Sequence, residues 1–335
     1  MTVVRRRTRL ARGPVTIGEP APIIDARLAA SEPYRPDTVV DGGSALGLTV
    51  RAASVRGLYK RYEGAPRQDD LCLGVHDGAR TLIVAVADGV SGAPRSHLGA
   101  ALAVRHAATA VARQLDRGRA DLDWRQVFDH AAWALVEEHR RDAGDSGAGV
   151  EEAAASLATT LVVAAITVPD VAIPAERAAA GGADADGAGK AEADGAGEAE
   201  APPKRSDHTP DSPRVQVAAV GDSPALLLSE AHFEAVVAEP ERADGLVGGG
   251  VEALPRALGA IRTTDCTLAS GSVLLVCTDG LALPLADGNG EVGRTLVREL
   301  STPPDIIDFA RLLDFSRSTY DDDRSLVAVW NGLRP

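Results

Sequence analysis

The sequence is poor in aromatic residues and in cysteine, and both shortages limit what the chain can be. Phe, Trp and Tyr make up 3% of the 335 residues, and there are three cysteines. Cys72, Cys266 and Cys277 have no close-spaced pairing and no histidine in ligand register. They are therefore expected to be buried apolar side chains and not zinc ligands. This usage predicts a protein of a reducing compartment.

Long apolar runs are missing as well. No stretch approaches the roughly 18 consecutive apolar residues that a membrane span needs, and the basic start at Arg5, Arg6 and Arg7 is not followed by the apolar segment of a signal peptide. The net charge of −13 and the pI near 5.0 argue against nucleic acid or an anionic membrane as a partner. The chain is expected to be a cytoplasmic monomer with neither partner.

Two segments lack the periodicity of a folded core. Residues 1–50 are rich in Pro, Gly, Arg and Asp and predict an irregular, partly disordered leader. Residues 171–213 consist mostly of Ala, Gly, Asp, Glu and Pro and predict a disordered insertion. Strand-like runs flank this insertion on both sides. It is therefore interpreted as an enlarged loop within one domain of residues 51–333, and not as a linker between two domains.

The rest of the chain alternates pairs of strands with pairs of helices. Strands are predicted at 71–75, 81–87, 160–168, 215–220, 225–229, 272–277 and 325–330. Helices are predicted at 97–116, 123–141 and 305–316. Because the strands come in adjacent pairs, the pattern favours antiparallel sheets covered by helices over a parallel doubly wound sheet.

Aspartates stand at corresponding ends of several strands. Three apolar strands run into Asp88, Asp222 and Asp279, and a fourth strand is preceded by the run of Asp from 321 to 323. If that last strand is antiparallel to a neighbour, its start lies where the neighbour ends. Asp322 and Asp279 are then expected to converge.

A hairpin brings a further carboxylate to the same place. The turn signal Asp77-Gly78 lies between two strand-like runs. If Gly78 and Ala79 form the loop, Asp69 faces Asp88; if Asp77 and Gly78 form it, the two aspartates are offset by two residues and remain neighbours. Either register places them together.

Four or five carboxylates at one sheet edge repel each other unless cations compensate them. Oxygen ligands without His or Cys select Mg²⁺ or Mn²⁺ over zinc. Two such ions about 3.5–4 Å apart, bridged by one carboxylate, form a site for in-line attack on phosphate. The competing interpretation is that Asp-Gly after a strand is turn chemistry. It suffices for any one position, but not for four together.

Seven short motifs occur in order along the chain, each of them weak alone. They are RQDD (67–70), ADGVSG (87–92), SLATTL (156–161), VGDSPALLL (220–228), LPRALG (254–259), CTDGL (277–281) and DDDRSLVAVW (321–330). The ordered set resembles the metal-dependent protein phosphatase family, the type 2C serine/threonine phosphatases, in their bacterial form. The resemblance runs from about residue 54 to residue 330, apart from the insertion.

The resemblance implies an α+β fold, a four-layer α/β/β/α sandwich with two antiparallel sheets. It implies a protein serine/threonine phosphatase that hydrolyses phosphomonoesters of a phosphorylated protein by a metal-activated water, with two Mn²⁺ or Mg²⁺ ions. The implied metal ligands are Asp88, which bridges the ions, the Gly89 carbonyl, Asp279 and Asp322 on the first ion, Asp69 in the opening motif, and Asp222 at a third, weaker ion. Asp88 and Asp279 are the implied catalytic residues.

The sequence departs from the family pattern in the opening motif. Arg67 or Gln68 stands where the family has Asn, and the phosphate-binding Arg has no counterpart at its usual spacing, so Arg61 or Arg67 is expected to replace it. His97 or His76 is a candidate general acid, against the simpler interpretation of an incidental surface histidine. These departures keep one alternative open, a catalytically weak phosphatase-like module that binds phosphoproteins.

Overall fold

The computed structural model describes residues 15–29, 35–170, 212–237, 252–285 and 290–332. Most of the predicted insertion, and the first fourteen residues of the predicted leader, lie outside these ranges. No helix in the described part of the chain is long and apolar enough to cross a membrane.

Within the described ranges, eleven strands form two antiparallel sheets. The strands are β1 (Thr38–Ala45), β2 (Leu48–Val55), β3 (Asp70–His76), β4 (Thr81–Ala87), β5 (Leu161–Thr167), β6 (Arg214–Val220), β7 (Ala225–Ser229), β8 (His232–Val237), β9 (Arg262–Thr267), β10 (Val273–Cys277) and β11 (Arg324–Asn331). One sheet has the order β1-β2-β11-β10-β7-β8 and the other β3-β4-β5-β6-β9. Every strand pair is antiparallel.

Helices cover the outer face of each sheet. They are α1 (Leu58–Glu63), α2 (Ser96–Asp116), α3 (Trp124–Ala143), α4 (Val150–Leu157), α5 (Asp279–Leu285), α6 (Glu291–Glu299) and α7 (Ile306–Leu313). One apolar cluster joins α2, α3 and α4 to the β3–β9 sheet, a second joins α5, α6 and α7 to the other sheet, and a third lies between the sheets. The predicted four-layer α/β/β/α sandwich is confirmed.

The central strands are apolar along their whole length because both of their faces are covered. Every residue of β4 is buried, and β10 is also buried throughout. Such continuous apolar runs are typical of strands between two layers, and all seven predicted strands and three predicted helices are present.

The predicted leader is wrong for residues 38–50, which form β1 and the first part of β2. β1 is an edge strand that contains Asp41, Gly42 and Gly43, and its alternating exposure hides it among loop-like residues. β2 is wholly buried although it contains Arg51, whose guanidinium donates to the carbonyls of Pro304 and Val50 at 2.7 and 2.8 Å. The folded domain therefore begins well before residue 51.

Strand register fixes which chain ends meet. In the β3–β4 hairpin Asp70 pairs with Ala87, so that the next pair outward is Asp69 and Asp88. In the other sheet Cys277 of β10 pairs with Leu326 of β11. The residues that follow β10 and those that precede β11 therefore share one edge, as the sequence predicts.

Candidate active site

Four carboxylates from four chain segments meet at one end of the sandwich. Asp69 precedes β3, Asp88 follows β4, Asp279 begins α5 and Asp322 precedes β11. Desolvation by the surrounding protein, followed by the negative charges of Asp69 and Asp279, raises the pKa of Asp88 well above its usual range. The charge of Asp322 adds to the same repulsion. The four side chains converge as the sequence predicts, and Asp88 and Asp279 remain partly open to solvent.

Two hydroxyl groups hold the buried side chain of Asp69. The side chain is 1% exposed, and its Oδ2 accepts hydrogen bonds from Thr278 Oγ1 at 2.8 Å and Ser325 Oγ at 2.9 Å. Burial, followed by the charge of Asp323, raises the pKa of Asp69 to about 8, although the two hydroxyls oppose the shift. A carboxylate this strongly desolvated gains from a nearby cation.

The three consecutive aspartates before β11 have three different environments. Asp321 is exposed, and its carbonyl accepts the Tyr59 amide at 3.0 Å. Asp323 is buried, and its two oxygens accept the amides of Gly57 and Gln68, each at 2.6 Å. Asp323 thus ties α1 and the opening motif to β11 and acts on Asp69, whereas the charge of Asp322 raises the pKa of Asp88.

Asp322 lies at the open side of the cluster. One side of the residue is exposed, yet the protein around its carboxylate desolvates it and raises its pKa. The backbone amide of Asp323, which donates to Asp322 Oδ1 at 2.9 Å, and the charge of Lys60 partly offset this shift. Asp322 therefore faces both the other carboxylates and a cationic side chain.

Two glycines allow the carboxylate-bearing segments to approach each other. A Cβ on Gly89 would lie 2.8 Å from the backbone carbon of Ser96, and a Cβ on Gly280 would overlap the carbonyl oxygen of Asp323. Both contacts are with backbone, so no side-chain rotation relieves them. The Asp-Gly pairs at 88–89 and 279–280 are therefore required for close packing and not only for turns.

A threonine links Asp88 to the segment that contains Asp222. The backbone amide of Asp88 donates to Thr160 Oγ1 at 3.1 Å, and Thr160 Oγ1 lies 3.0 Å from Ser223 Oγ. The Thr160 amide in turn donates to the Asp88 carbonyl at 2.8 Å. Asp222 thus lies one residue from a hydrogen-bond chain that ends on Asp88, while its role at a third ion stays a prediction.

Lys60 is the cationic residue that the sequence analysis missed. It lies on α1, is 7% exposed, and its positive charge lowers the pKa values of Asp322 and Asp323 against the stronger effect of burial. Its Nζ is 3.4 Å from Ser91 Oγ, which is itself 3.4 Å from Gln68 Oε1. The available signal was a lysine one helical turn after Arg56-Gly57.

The positions of Arg61 and Arg67 contradict the prediction that one of them binds phosphate. Arg61 donates three hydrogen bonds, of 2.7 to 3.0 Å, to Asp37 and Asp314. Arg67 is 1% exposed and donates to the Ser54 carbonyl at 3.2 Å. One guanidinium is engaged by two carboxylates and the other lies inside the protein, so neither is free to meet a substrate.

The two candidate histidines have different environments. His76 ends β3, at the opposite end of that strand from Asp69, and its Nε2 lies 3.0 Å from Asp116 Oδ1. His97 is 3% exposed within α2, so it is not a surface histidine. The prediction of a histidine general acid gains no support from His76, which lies too far along its strand.

The donor set fits a hard divalent cation. In the described residues, no three His, Cys, Asp or Glu side chains are already spaced as ligands of a single ion. The four carboxylates nevertheless supply only oxygen donors, and their mutual repulsion contributes to the raised pKa of Asp88. Oxygen donors with excess negative charge suit Mg²⁺ or Mn²⁺ better than zinc.

Comparison with known proteins agrees with this fold. A family model described as protein phosphatase 2C matches residues 56–180, a segment that includes Asp69 and Asp88. The resemblance to the metal-dependent protein phosphatases is thereby confirmed for this part of the chain. No curated protein matches the sequence.

Solved phosphatase structures share the whole architecture. A bacterial serine phosphatase is 13% identical, with 85% of this chain and 98% of that chain covered and a TM-score of 0.53. The serine/threonine phosphatase of S. agalactiae is 14% identical, with 84% of this chain and 99% of that chain covered and a TM-score of 0.51. A phosphatase of Toxoplasma gondii is 16% identical, with 88% of this chain and 95% of that chain covered and a TM-score of 0.51. At these identities the likeness shows a common fold.

Proposed function

We propose that the protein is a metal-dependent phosphatase that removes phosphate from serine or threonine side chains of proteins. The observation that carries this proposal is the convergence of Asp69, Asp88, Asp279 and Asp322 from four separate segments at one end of the sandwich. Turn chemistry alone does not account for a cluster in which the charges of Asp69, Asp279 and Asp322 raise the pKa of Asp88, because such a cluster destabilises the protein unless cations compensate it.

The four carboxylates would hold two Mg²⁺ or Mn²⁺ ions, with Asp88 between them, the Gly89 carbonyl as a further ligand, and Asp222 near a third ion. When bound, the two ions lower the pKa of a water molecule and neutralise phosphate charge. The protein's own part is to orient these ligands. Thr278 and Ser325 fix the Asp69 side chain, and Thr160 fixes the Asp88 backbone on both its amide and its carbonyl side.

The phosphate group of the substrate would meet Lys60. An ammonium with three donors and no carboxylate within salt-bridge distance in the described residues is suited to phosphate oxygens. Ser91 and Gln68 lie next to it and supply neutral hydrogen-bonding groups. Lys60 thus takes the position that Arg61 and Arg67 were predicted to fill.

Lys60→Gln should raise KM for a phosphothreonine peptide about tenfold or more, since a hydrogen bond to a charged group contributes roughly 1.5–3 kcal/mol. Steady-state kinetics at saturating Mn²⁺ would measure this, and kcat should fall less than kcat/KM does. The matched control is Lys60→Arg, which keeps the charge and should retain most of the affinity. An unchanged KM in Lys60→Gln would remove Lys60 from the substrate site.

The proposed activity is tested by phosphate release from an aryl phosphate, a phosphothreonine peptide and a phosphotyrosine peptide, each with Mn²⁺ or Mg²⁺. Hydrolysis of the phosphothreonine peptide above the phosphotyrosine peptide is the expected result. No hydrolysis of any of the three with either ion would overturn the enzyme proposal. The cytoplasmic location, the monomeric state and the absence of nucleic-acid and membrane partners stay predictions from the sequence.

The second candidate is a phosphoprotein-binding module of low activity. It is favoured by the altered opening motif, in which the Gln68 side chain donates to Ser96 Oγ at 2.9 Å instead of reaching the carboxylates. A module that needs no metal would gain stability by losing the repelling carboxylates, so their retention opposes this candidate. The two are separated by whether turnover depends on Asp88.

A further inference from the structure

One buried carboxylate joins the two segments that contain Lys60 and Asp69. Asp323 is 3% exposed, and its Oδ1 accepts the Gly57 amide while its Oδ2 accepts the Gln68 amide, each at 2.6 Å. Gly57 immediately precedes α1, the helix that contains Lys60, and Gln68 immediately precedes Asp69. The carboxylate therefore connects the helix proposed to meet the phosphate with a residue proposed to hold a metal ion.

Helix α1 depends on neighbouring segments for its placement. It has six residues and follows a glycine, which has no side chain to cap it. A helix this short is not stable alone, so contacts outside it decide where it lies. The Tyr59 amide donates to the Asp321 carbonyl at 3.0 Å, and a Cβ on Gly57 would overlap the backbone of Asp321 and Asp322. The start of α1 thus packs directly against the segment before β11, where Asp323 fixes it.

The backbone of Asp323 contacts two further parts of the site. Its amide donates to Asp322 Oδ1 at 2.9 Å. A Cβ on Gly280 would overlap the Asp323 carbonyl oxygen, so the residue that follows Asp279 packs against the same peptide unit. Through its side chain and its backbone, Asp323 therefore contacts the segments that contain Asp69, Asp279 and Asp322.

A carboxylate meets the requirement of this position better than an amide does. Each oxygen of Asp323 accepts one backbone amide, and both bonds are of the strong kind in which the acceptor is charged. Asn has one oxygen and one NH2 group, so it could accept only one of the two amides. The charge of Asp323 also acts unfavourably on Asp69. A neutral side chain would avoid that repulsion but would leave one segment without its acceptor.

We propose that Asp323 is a positioning residue of the phosphatase reaction, which fixes the distance between Lys60 and the metal site at Asp69. Its side chain is occupied by the amides of Gly57 and Gln68, and it acts through these two segments. A phosphate group that meets both Lys60 and the metal site requires that this distance stay constant. The role rests on the proposed function, whereas the connection between the two segments does not depend on turnover.

Asp323→Asn should raise KM for a phosphothreonine peptide at least about threefold at saturating Mn²⁺, since one segment loses a hydrogen bond. The matched control is Gln216→Ala. Gln216 is 4% exposed, its Oε1 accepts the Leu122 amide at 3.1 Å, and it lies in the half of β6 away from Asp222. This control also loses a buried acceptor, so it should lower the melting temperature and leave KM unchanged. A lower melting temperature with an unchanged KM in Asp323→Asn would overturn the positioning role.

Hydrogen exchange in the wild-type chain tests the connection without turnover, and it decides the question even if Asp323→Asn does not fold. Mg²⁺ added to EDTA-treated protein should slow exchange of the Gly57 and Gln68 amides together, each at least about threefold, because a metal held at Asp69 fixes both segments through Asp323. The Leu122 amide should not change. Slowing of only one of the two amides, or of neither, in protein that binds Mg²⁺ would overturn the proposal. A chain that binds neither Mg²⁺ nor Mn²⁺ would contradict the proposed function, and with it the positioning role.

Discussion

Replacing Asp88 with Asn should lower kcat at least about a hundredfold, a loss of roughly 2.7 kcal/mol in transition-state stabilisation. Asn keeps the size of the side chain but carries no charge. Because the charges of Asp69, Asp279 and Asp322 all act on Asp88, its replacement should weaken the binding of divalent cations to the site. Stopped-time phosphate release from a phosphothreonine peptide at saturating Mn²⁺ measures the effect. Asp279→Asn should behave in the same way, because it removes a second negative charge that acts on Asp88 in the same cluster.

The matched control is Asp321→Asn. Asp321 is adjacent to Asp322 but exposed, and its backbone carbonyl accepts a hydrogen bond from the Tyr59 amide. This variant should keep nearly all of its activity. In chelator, the melting temperature of Asp88→Asn should equal or exceed that of the wild type, since one repelling carboxylate has been removed. If wild type and Asp88→Asn share the same low turnover and bind a phosphoprotein equally well, the binding-module interpretation is correct.

Removing divalent cations with EDTA should abolish hydrolysis of both an aryl phosphate and a phosphothreonine peptide, by at least about a thousandfold, and added Mn²⁺ or Mg²⁺ should restore it. The expectation follows from the site, where no serine or cysteine is paired with a histidine beside the four carboxylates in the described residues. Hydrolysis is therefore expected to depend on the divalent cations that the carboxylates would bind.

Loss of structure in EDTA would also abolish activity, so circular dichroism in EDTA serves as the control and should show that the protein stays folded. Zn²⁺ should restore less activity than Mn²⁺, since the donors are all oxygen. Full turnover in chelator, or a trapped covalent phosphoenzyme, would contradict the mechanism.

Strand register made the central part of the site predictable from the sequence. The β3–β4 hairpin has a short loop, so counting outward from the turn pairs Asp70 with Ala87 and sets Asp69 against Asp88. The same reasoning places Asp279 and Asp322 at one edge, because β10 and β11 are antiparallel neighbours. Apolar periodicity and pairing geometry are local properties, and a single sequence contains them.

Other parts of the site depend on tertiary contacts that no local pattern encodes. The sequence does not show which of the three consecutive aspartates joins the cluster. The fold decides this, because it places the amides of Gly57 and Gln68 against Asp323 and leaves Asp321 exposed. The sequence makes Arg61 a candidate phosphate ligand, but in the fold its guanidinium is paired with Asp37 and Asp314. Both partners are distant in sequence.

The missed strands have a related explanation. β1 is an edge strand whose polar and glycine residues face solvent, so its alternation resembles a loop. Lys60 was missed because its helix has six residues, too few for a periodic signal, and because its role follows from its proximity to Asp322. Short and edge elements obtain their stability from neighbours that the local sequence does not identify.

The central claim is that the four carboxylates hold divalent cations, and a Mn²⁺ titration followed by the electron paramagnetic resonance signal of free Mn²⁺ tests it most directly. We expect the wild type and Asp321→Asn to bind about two Mn²⁺ ions each, and Asp88→Asn to lose at least one of them, as one carboxylate serves both ions in the proposed site. Binding of no Mn²⁺ by the wild type, or of equal amounts with equal affinity by Asp88→Asn, would contradict the account.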